Sequence, residues 1–270
     1  GIIYPIVMGW QWGGGWLAAL GFSDFAGSTL VHSTGGAAAL AGAMLLGART
    51  GRFDKSGAAK PMRPFAASSI PLVTVGVFIL WLGWFGFNGG SQLAMGSFDD
   101  AVAVSNIFIN TNLAACGGVL AAAVITRLLA GKTDVVQMLN GAIGGLVAIT
   151  AEPLAPAPIA AIFIGAIGGL IVVFGTKLLF SFKIDDVVGA IPAHMFAGIW
   201  GTLAVPLTNS DASFSAQLIG VISINAFVFV VSYIVWAIMK NTMGIRLSKE
   251  AELKGTDVSE TGVIAYAIRD

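Results

Sequence analysis

The sequence predicts an all-α, polytopic membrane helix bundle with about seven complete transmembrane helices, and three observations carry that expectation. The 270 residues are 56% hydrophobic and only 10% charged, whereas soluble domains hold about a quarter charged residues. The apolar residues form long uncharged blocks, each near the ~20 residues that cross a hydrocarbon core of about 30 Å. The basic residues gather at alternate ends of those blocks, which is how the loops of a membrane bundle are charged. A net charge of zero offers no global field that would attract nucleic acid.

Taken in order, residues 1–11 read as the tail of an earlier span. Gly1 opens in apolar sequence with neither a methionine nor the basic flank of a signal peptide, so the chain is expected to start inside a longer protein. Complete spans are expected at roughly 27–47, 66–92, 101–130, 135–151, 156–181, 187–207 and 216–240. The 135–151 block is the weakest, being short and interrupted by Asn140 and several glycines. The chain divides into a membrane domain, 1–243, and a hydrophilic C-terminal tail, 244–270.

Arg49, Arg52, Lys55, Lys60 and Arg63 follow the first full span, Arg127 and Lys132 the third, and Lys177 and Lys183 the fifth. Lys240, Arg246, Lys249, Lys254 and Arg269 follow the seventh. The positive-inside rule then makes this side and the tail cytoplasmic. The opposite side carries Asp99, Asp100, Glu152 and Asp211, a mildly acidic exterior. The glycine groups Gly35-Gly36, Gly117-Gly118, Gly141 with Gly144-Gly145, and Gly165 with Gly168-Gly169 read as close-approach surfaces between helices. Cys116 has no partner in the chain and reads as a small packed residue.

His32 and His194 are the two histidines, and both fall inside expected spans. An ionisable side chain at membrane depth is costly, so it is a functional candidate by default. The two share one pattern. Asp24-Phe-Ala-Gly27-Ser-Thr-Leu-Val-His32 and Asp186-Val-Val-Gly189-Ala-Ile-Pro-Ala-His194 each place glycine three residues and histidine eight residues after an aspartate. Counted at about 1.5 Å per residue, each histidine lies some 12 Å inside its aspartate-marked helix start. One helix enters from outside and the other from the cytoplasm, so inverted repeats would bring the rings to a common depth. Asp24 and Asp186 read as helix caps that accept backbone N–H groups. For Asp24, electrostatic help to a cation at the outer mouth is a second reading. A neutral imidazole pair sharing one hydrogen bond could bond ammonia or take a proton from ammonium, whereas potassium has no proton to give.

The same residues carry a family resemblance. The segment ending at His32, the stretch Gly83-Trp84-Phe-Gly-Phe87-Asn-Gly-Gly-Ser91, and Ala193-His-Met-Phe-Ala-Gly-Ile-Trp-Gly resemble the Amt/Mep/Rh ammonium transporter family. The tail, through Gly244-Ile-Arg-Leu-Ser-Lys-Glu and Gly255-Thr-Asp-Val-Ser-Glu-Thr-Gly262, is similar to that family's cytoplasmic tail. The resemblance implies an eleven-helix inverted repeat in the cell membrane, assembled as a homotrimer with a pore in each subunit. About a third of a family member would precede this chain. It also implies recruitment of ammonium by Trp12 and Ser91, a gate or pore wall at Phe87, Trp84 and Thr150, and a twin-histidine pore at His32 and His194. Methylammonium would serve as an analogue, and PII-type signal proteins would dock on the cytoplasmic face. Pro192 and the run Pro153-Leu-Ala-Pro-Ala-Pro158 depart from the family pattern and could displace His194.

Other classes fit less well. The alternative is an ammonium sensor signalling through the tail, although no signalling domain follows it in this sequence. A sodium symporter would need oxygen ligands on broken helices, and no carboxylate cluster lies at membrane depth. No catalytic constellation, metal site or cofactor motif is expected, because neither histidine has a carboxylate or nucleophile partner close by in sequence.

Overall fold

The computed structural model describes residues 1–53 and 65–265. Lys55, Lys60, Arg63 and Arg269 lie outside the described residues. The chain is a helix bundle, and its elements follow the expected blocks. A short α1 (Ile3–Gln11) and α2 (Trp16–Ala19) precede a π-turn at Ser28–Ser33 that runs into α3 (Thr34–Leu46). Then come α4 (Ile70–Gly90), α5 (Phe98–Ala130), α6 (Val135–Ile149) and α7 (Pro158–Ser181). A second π-turn, Ile191–Phe196, runs into α8 (Ala197–Ala204) and a 3-10 turn at Val205–Leu207. The long α9 (Phe214–Thr242) is followed by the tail, with α10 (Lys249–Lys254) and a third π-turn at Asp257–Thr261.

Five helical stretches are long and apolar enough to cross a membrane, and the two shorter apolar ones are Val135–Ile149 and Ile191–Leu207. These two carry the sixth expected span and the block expected to be weakest. Their shortness has a packing reason. Every residue of α6 from Gly141 to Ile149 is buried, so its end is surrounded by protein rather than lipid. The outer helices show the opposite pattern, with α4 presenting Leu72, Phe78, Ile79 and Leu82 outward.

Helix ends follow capping rather than hydropathy. α5 begins at Phe98, three residues before the apolar block, because Ser97 and Asp100 form a reciprocal capping box and Asp99 and Asp100 fit the positive end of the helix dipole. Ser69 caps α4 with Pro71 in its first turn, and Ser213 caps α9. At the other end of the bundle, Lys240 Nζ donates to the Leu45 carbonyl at 2.6 Å and Arg246 Nη1 to the Leu46 carbonyl at 3.1 Å. Two cations thereby satisfy the last carbonyls of α3, where the helix dipole is negative.

The centre of the bundle is the stack of α5, α6 and α7, built on glycine. A Cβ on Gly118 would strike the Gly141 carbonyl, one on Gly169 the Gly118 carbonyl, and one on Gly165 the Ala114 carbonyl. Small residues let these backbones touch, which is what association in lipid relies on. Gly36 likewise has no room beyond Met195. Gly35 is an exception to the expected pattern, since a side chain there would meet open space.

Contacts sort the helix ends into two sides. Arg49 meets Asp185, and Lys240 and Arg246 meet the end of α3, so the basic ends share one side. On the other, Ser23 pairs with Gln217 and Asn209 with Glu152. The expected acidic exterior is reduced. Glu152 is only 8% exposed, and its carboxylate accepts from the Ala155 N–H and Asn209 Nδ2. Asp100 closes the cap of α5 while remaining at the surface. Both carboxylates thus also do local structural work.

Candidate pore site at the paired histidines

Each histidine sits in a π-turn set up by an aspartate and a left-handed glycine. The Asp24 Oδ1 accepts the backbone N–H of Gly27 (3.1 Å) and Ser28 (2.7 Å), and Oδ2 those of Thr29 (2.9 Å) and Leu30 (2.8 Å). On the other repeat, Asp186 Oδ1 accepts from Gly189 and Ala190 (both 3.1 Å), and Oδ2 from Ile191 (2.7 Å). Wrapping the chain around a carboxylate in this way requires positive φ three residues on. Gly27 has φ 111° and Gly189 φ 77°, conformations that a side chain would strain.

This geometry changes the depth reckoned from sequence. The residues between Asp24 and Ser28 are not helical, so a rise of 1.5 Å cannot be counted from the aspartate. Instead the helix start itself lies inside the bundle, with Asp24 fully buried and Asp186 half-buried. All four N–H groups facing Asp24 are bonded to it, which is the capping arrangement.

The two rings meet. His194 Nδ1 and His32 Nδ1 are 3.3 Å apart, with ring centroids 5.3 Å apart and planes 25° from parallel. Two nitrogens at this separation share one proton, one ring donating and the other accepting. That leaves Nε2 of each ring for something else, and His32 Nε2 is buried with no protein partner. Pro192 does not displace His194. It falls at the start of the second π-turn, where the missing N–H costs nothing, and the wide turn accommodates its ring. The unusual proline run after α6 is tethered by Asn110 Nδ2, which donates to the carbonyls of Pro153 and Pro156.

Aromatic rings close around His32. Trp84 stacks on it with centroids 4.8 Å apart and planes 19° apart, and Phe87 lies 5.3 Å away, tilted by 41°. Trp84 Nε1 donates to Thr150 Oγ1 at 2.9 Å, and that hydroxyl donates to the Leu146 carbonyl at 2.7 Å. Thr150 is fully buried, so it reaches the histidines through Trp84. Trp12 and Ser91 are more exposed. The Trp12 indole donates to the Asp24 carbonyl, and the Ser91 hydroxyl to the Phe87 carbonyl one turn back. A carbonyl-bonded serine hydroxyl keeps its lone pairs free to accept a further hydrogen bond.

Several cross-links were invisible in the sequence because they join distant segments. Thr29 and Thr202 share a hydroxyl bond at 2.6 Å between the two repeats, and Ser28 Oγ donates to the Val147 carbonyl at 2.6 Å. On the basic side, Asp185 accepts Arg49 Nε at 2.7 Å and Nη2 at 2.9 Å, with Arg52 Nε at 3.3 Å. Burial pushes the Asp185 carboxyl up, but the Arg49 hydrogen bonds and the charges of Arg49 and Arg52 outweigh it and hold the group below its ordinary value. Nearby, the Thr50 N–H and then Arg246 hold the Glu252 carboxyl below the usual range, which docks the tail on the loop after α3. Among the described residues no group of three or more His, Cys, Asp and Glu could hold a metal ion.

Two aspartate-capped π-turns in an apolar bundle thus bring two histidines together beside Trp84 and Phe87. The model of the Ammonium Transporter Family matches residues 1–266. The chain belongs to that family. The ammonium transporter Amt2 of Archaeoglobus fulgidus is 40% identical, over 98% of this chain and 62% of that protein. Ammonium transporter 1 member 1 of Arabidopsis thaliana is 33% identical, over all of this chain and 62% of the plant protein. Among solved structures, one described as a sensor Amt protein superimposes with a TM-score of 0.89 at 33% identity, covering 96% of this chain and 67% of that one. Mep2 of Candida albicans superimposes at 0.82 with 30% identity, covering 92% of this chain and 58% of that one. The chain spans about three fifths of the length of the curated relatives it matches. The chain is a multi-pass membrane protein of this family, with five helical stretches among the described residues long and apolar enough to cross a membrane.

Proposed function

We propose that this chain forms the histidine-bearing part of a pore that conducts ammonium or ammonia across the cell membrane. The observation that carries the reading is the 3.3 Å contact between His32 and His194 beneath Trp84 and Phe87. In that setting ammonium is captured at the outer face by Trp12 and Ser91, where an indole face attracts a cation by roughly 0.5–2 kcal/mol. It passes Phe87, loses or relays a proton at the imidazole pair, and leaves on the basic side. Potassium would have to shed its water with no proton to hand over and few oxygen ligands in return, so a dry apolar passage rejects it.

The basic side and the tail, 244–270, are cytoplasmic in this reading, with residues 1–243 as the membrane domain. Assembly as a homotrimer, with one pore in each subunit, would cover part of the apolar face that α4 turns outward. A PII-type signal protein would dock on the basic face. The likeness to a solved sensor Amt protein favours a second reading, in which the same site binds ammonium and signals through the docked tail.

Methylammonium uptake by the full-length protein, set beside its His32→Ala and His194→Ala variants, tests the reading. Each variant is expected to change the uptake rate, the exclusion of potassium, or both. Variants that match the parent in both would refute a role for the histidines. Binding of ammonium without any flux in the parent would select the sensor instead.

A further inference from the structure

Thr150 occupies a junction that its residue type alone does not announce. Its hydroxyl accepts the Trp84 indole N–H at 2.9 Å and donates to the Leu146 carbonyl at 2.7 Å. The second bond fixes the first, because a hydroxyl with its proton committed to one carbonyl must offer a lone pair elsewhere. Trp84 is 6% exposed, and a buried indole N–H without an acceptor is costly, so the ring is held in the orientation that meets this oxygen. That orientation is the one that stacks on His32 at 4.8 Å with planes 19° apart.

The same residue acts through its backbone. The Thr150 carbonyl accepts the Ala26 N–H at 3.0 Å, and the next carbonyl, of Ala151, accepts that of Phe25 at 2.8 Å. Phe25 and Ala26 lie between Asp24 and Gly27, the residues that start the π-turn carrying His32. One residue at the end of α6 therefore touches both determinants of the His32 ring: the base of its helical turn and the aromatic plate stacked against it.

We propose that Thr150 is a positioning residue for His32, acting through the Trp84 indole rather than by lining the conduit. The proposal rests on the pore reading above. The side chain is fully buried, with its proton given to the Leu146 carbonyl and a lone pair to the Trp84 indole, so burial keeps its remaining lone pair away from a passing molecule. What it supplies is a fixed indole plane, and a misaligned ring at a transfer site slows the transfer without weakening capture elsewhere.

The test uses the full-length protein and initial rates of methylammonium uptake over a range of concentrations. Thr150→Val keeps the shape and removes the hydroxyl. It is expected to lower the maximal rate about fivefold, the rate equivalent of one net hydrogen bond, with an unchanged half-saturating concentration. Thr150→Ser keeps the oxygen and is expected to restore the rate. Thr150→Ala gives the same reading as Val if the added methyl blocks assembly. A double-mutant cycle supplies the decisive comparison, because in a Trp84→Phe background the indole N–H is already gone. Thr150→Val should then cost nothing more. An equal fold-loss in both backgrounds, a failure of Ser to rescue, or an unchanged rate in both Val and Ala overturns the proposal. Should the parent carry no flux, or His32→Ala and His194→Ala behave as the parent does, the pore reading fails and this inference falls with it. Responsive histidine variants alongside an indifferent Thr150 defeat this inference alone.

Discussion

Replacing Asp24 with alanine should be among the most damaging single changes in the membrane domain, and far worse than the same change at Asp186. A typical helix cap contributes about 1 kcal/mol because it satisfies one or two orphan N–H groups, whose partners water can replace. Asp24 satisfies four, at 2.7–3.1 Å, and is fully buried. A buried donor left without an acceptor costs about 1 kcal/mol or more, so the loss at Asp24 comes to about 4 kcal/mol. Asp186 satisfies three N–H groups and is half-buried, where water takes over part of the work, so about 1–2 kcal/mol is expected there. Asp24→Asn should do little better than alanine, since its amide would turn donors toward at least one pair of N–H groups. Thermal unfolding of the detergent-solubilised full-length protein measures the order, and methylammonium uptake in parallel reads the pore. Equal, small shifts for Asp24→Ala and Asp186→Ala would refute the reasoning that burial and the number of orphan donors set the cost.

Asp185→Asn should destabilise by about 1–3 kcal/mol at neutral pH, because it takes a buried negative charge away from Arg49, which is partly exposed, and from Arg52. The folded-state pKa of Asp185 is depressed, so its contribution is complete above the ordinary carboxylate range and fades as pH falls through the lower folded value. The melting curves of parent and variant should accordingly converge in acid and stay apart at neutral pH. Gly169→Ala places a methyl against the Gly118 backbone in the α5 and α7 contact, and overpacking of this kind costs about 1–3 kcal/mol. Gly35→Ala, with open space around it, should leave the melting temperature unchanged.

Much of the architecture was legible in one dimension for a physical reason. Lipid demands that a backbone satisfy its own hydrogen bonds, so long apolar blocks become helices whatever their detailed composition. The blocks erred at their ends, where capping decides. α5 starts at Phe98, just before the charged pair Asp99-Asp100, because Ser97 and Asp100 close the first turn. The aspartate, glycine and histidine spacing was equally visible, because a carboxylate that caps a left-handed glycine needs those residues at short, fixed separations. A depth could not be counted from it, since residues 24–27 are not helical and the helical turn begins only at Ser28. The burial of Glu152 was not legible, because its partner, Asn209, is 57 residues away.

By itself, then, the amino-acid order determined the solvent of this protein, its helical class, the alternation of its charged ends and the twin turns that carry the histidines. These follow from local rules of period, length and capping. Only the tertiary structure decided that His32 and His194 meet at 3.3 Å, that Trp84 stacks on His32, and that the Thr150 hydroxyl accepts the indole N–H while the Arg49 and Asp185 pair ties the basic side together. Each of those is a contact between segments far apart in the chain. Such contacts depend on how closely glycine-lined helices approach one another in three dimensions, which no spacing along one strand of sequence records.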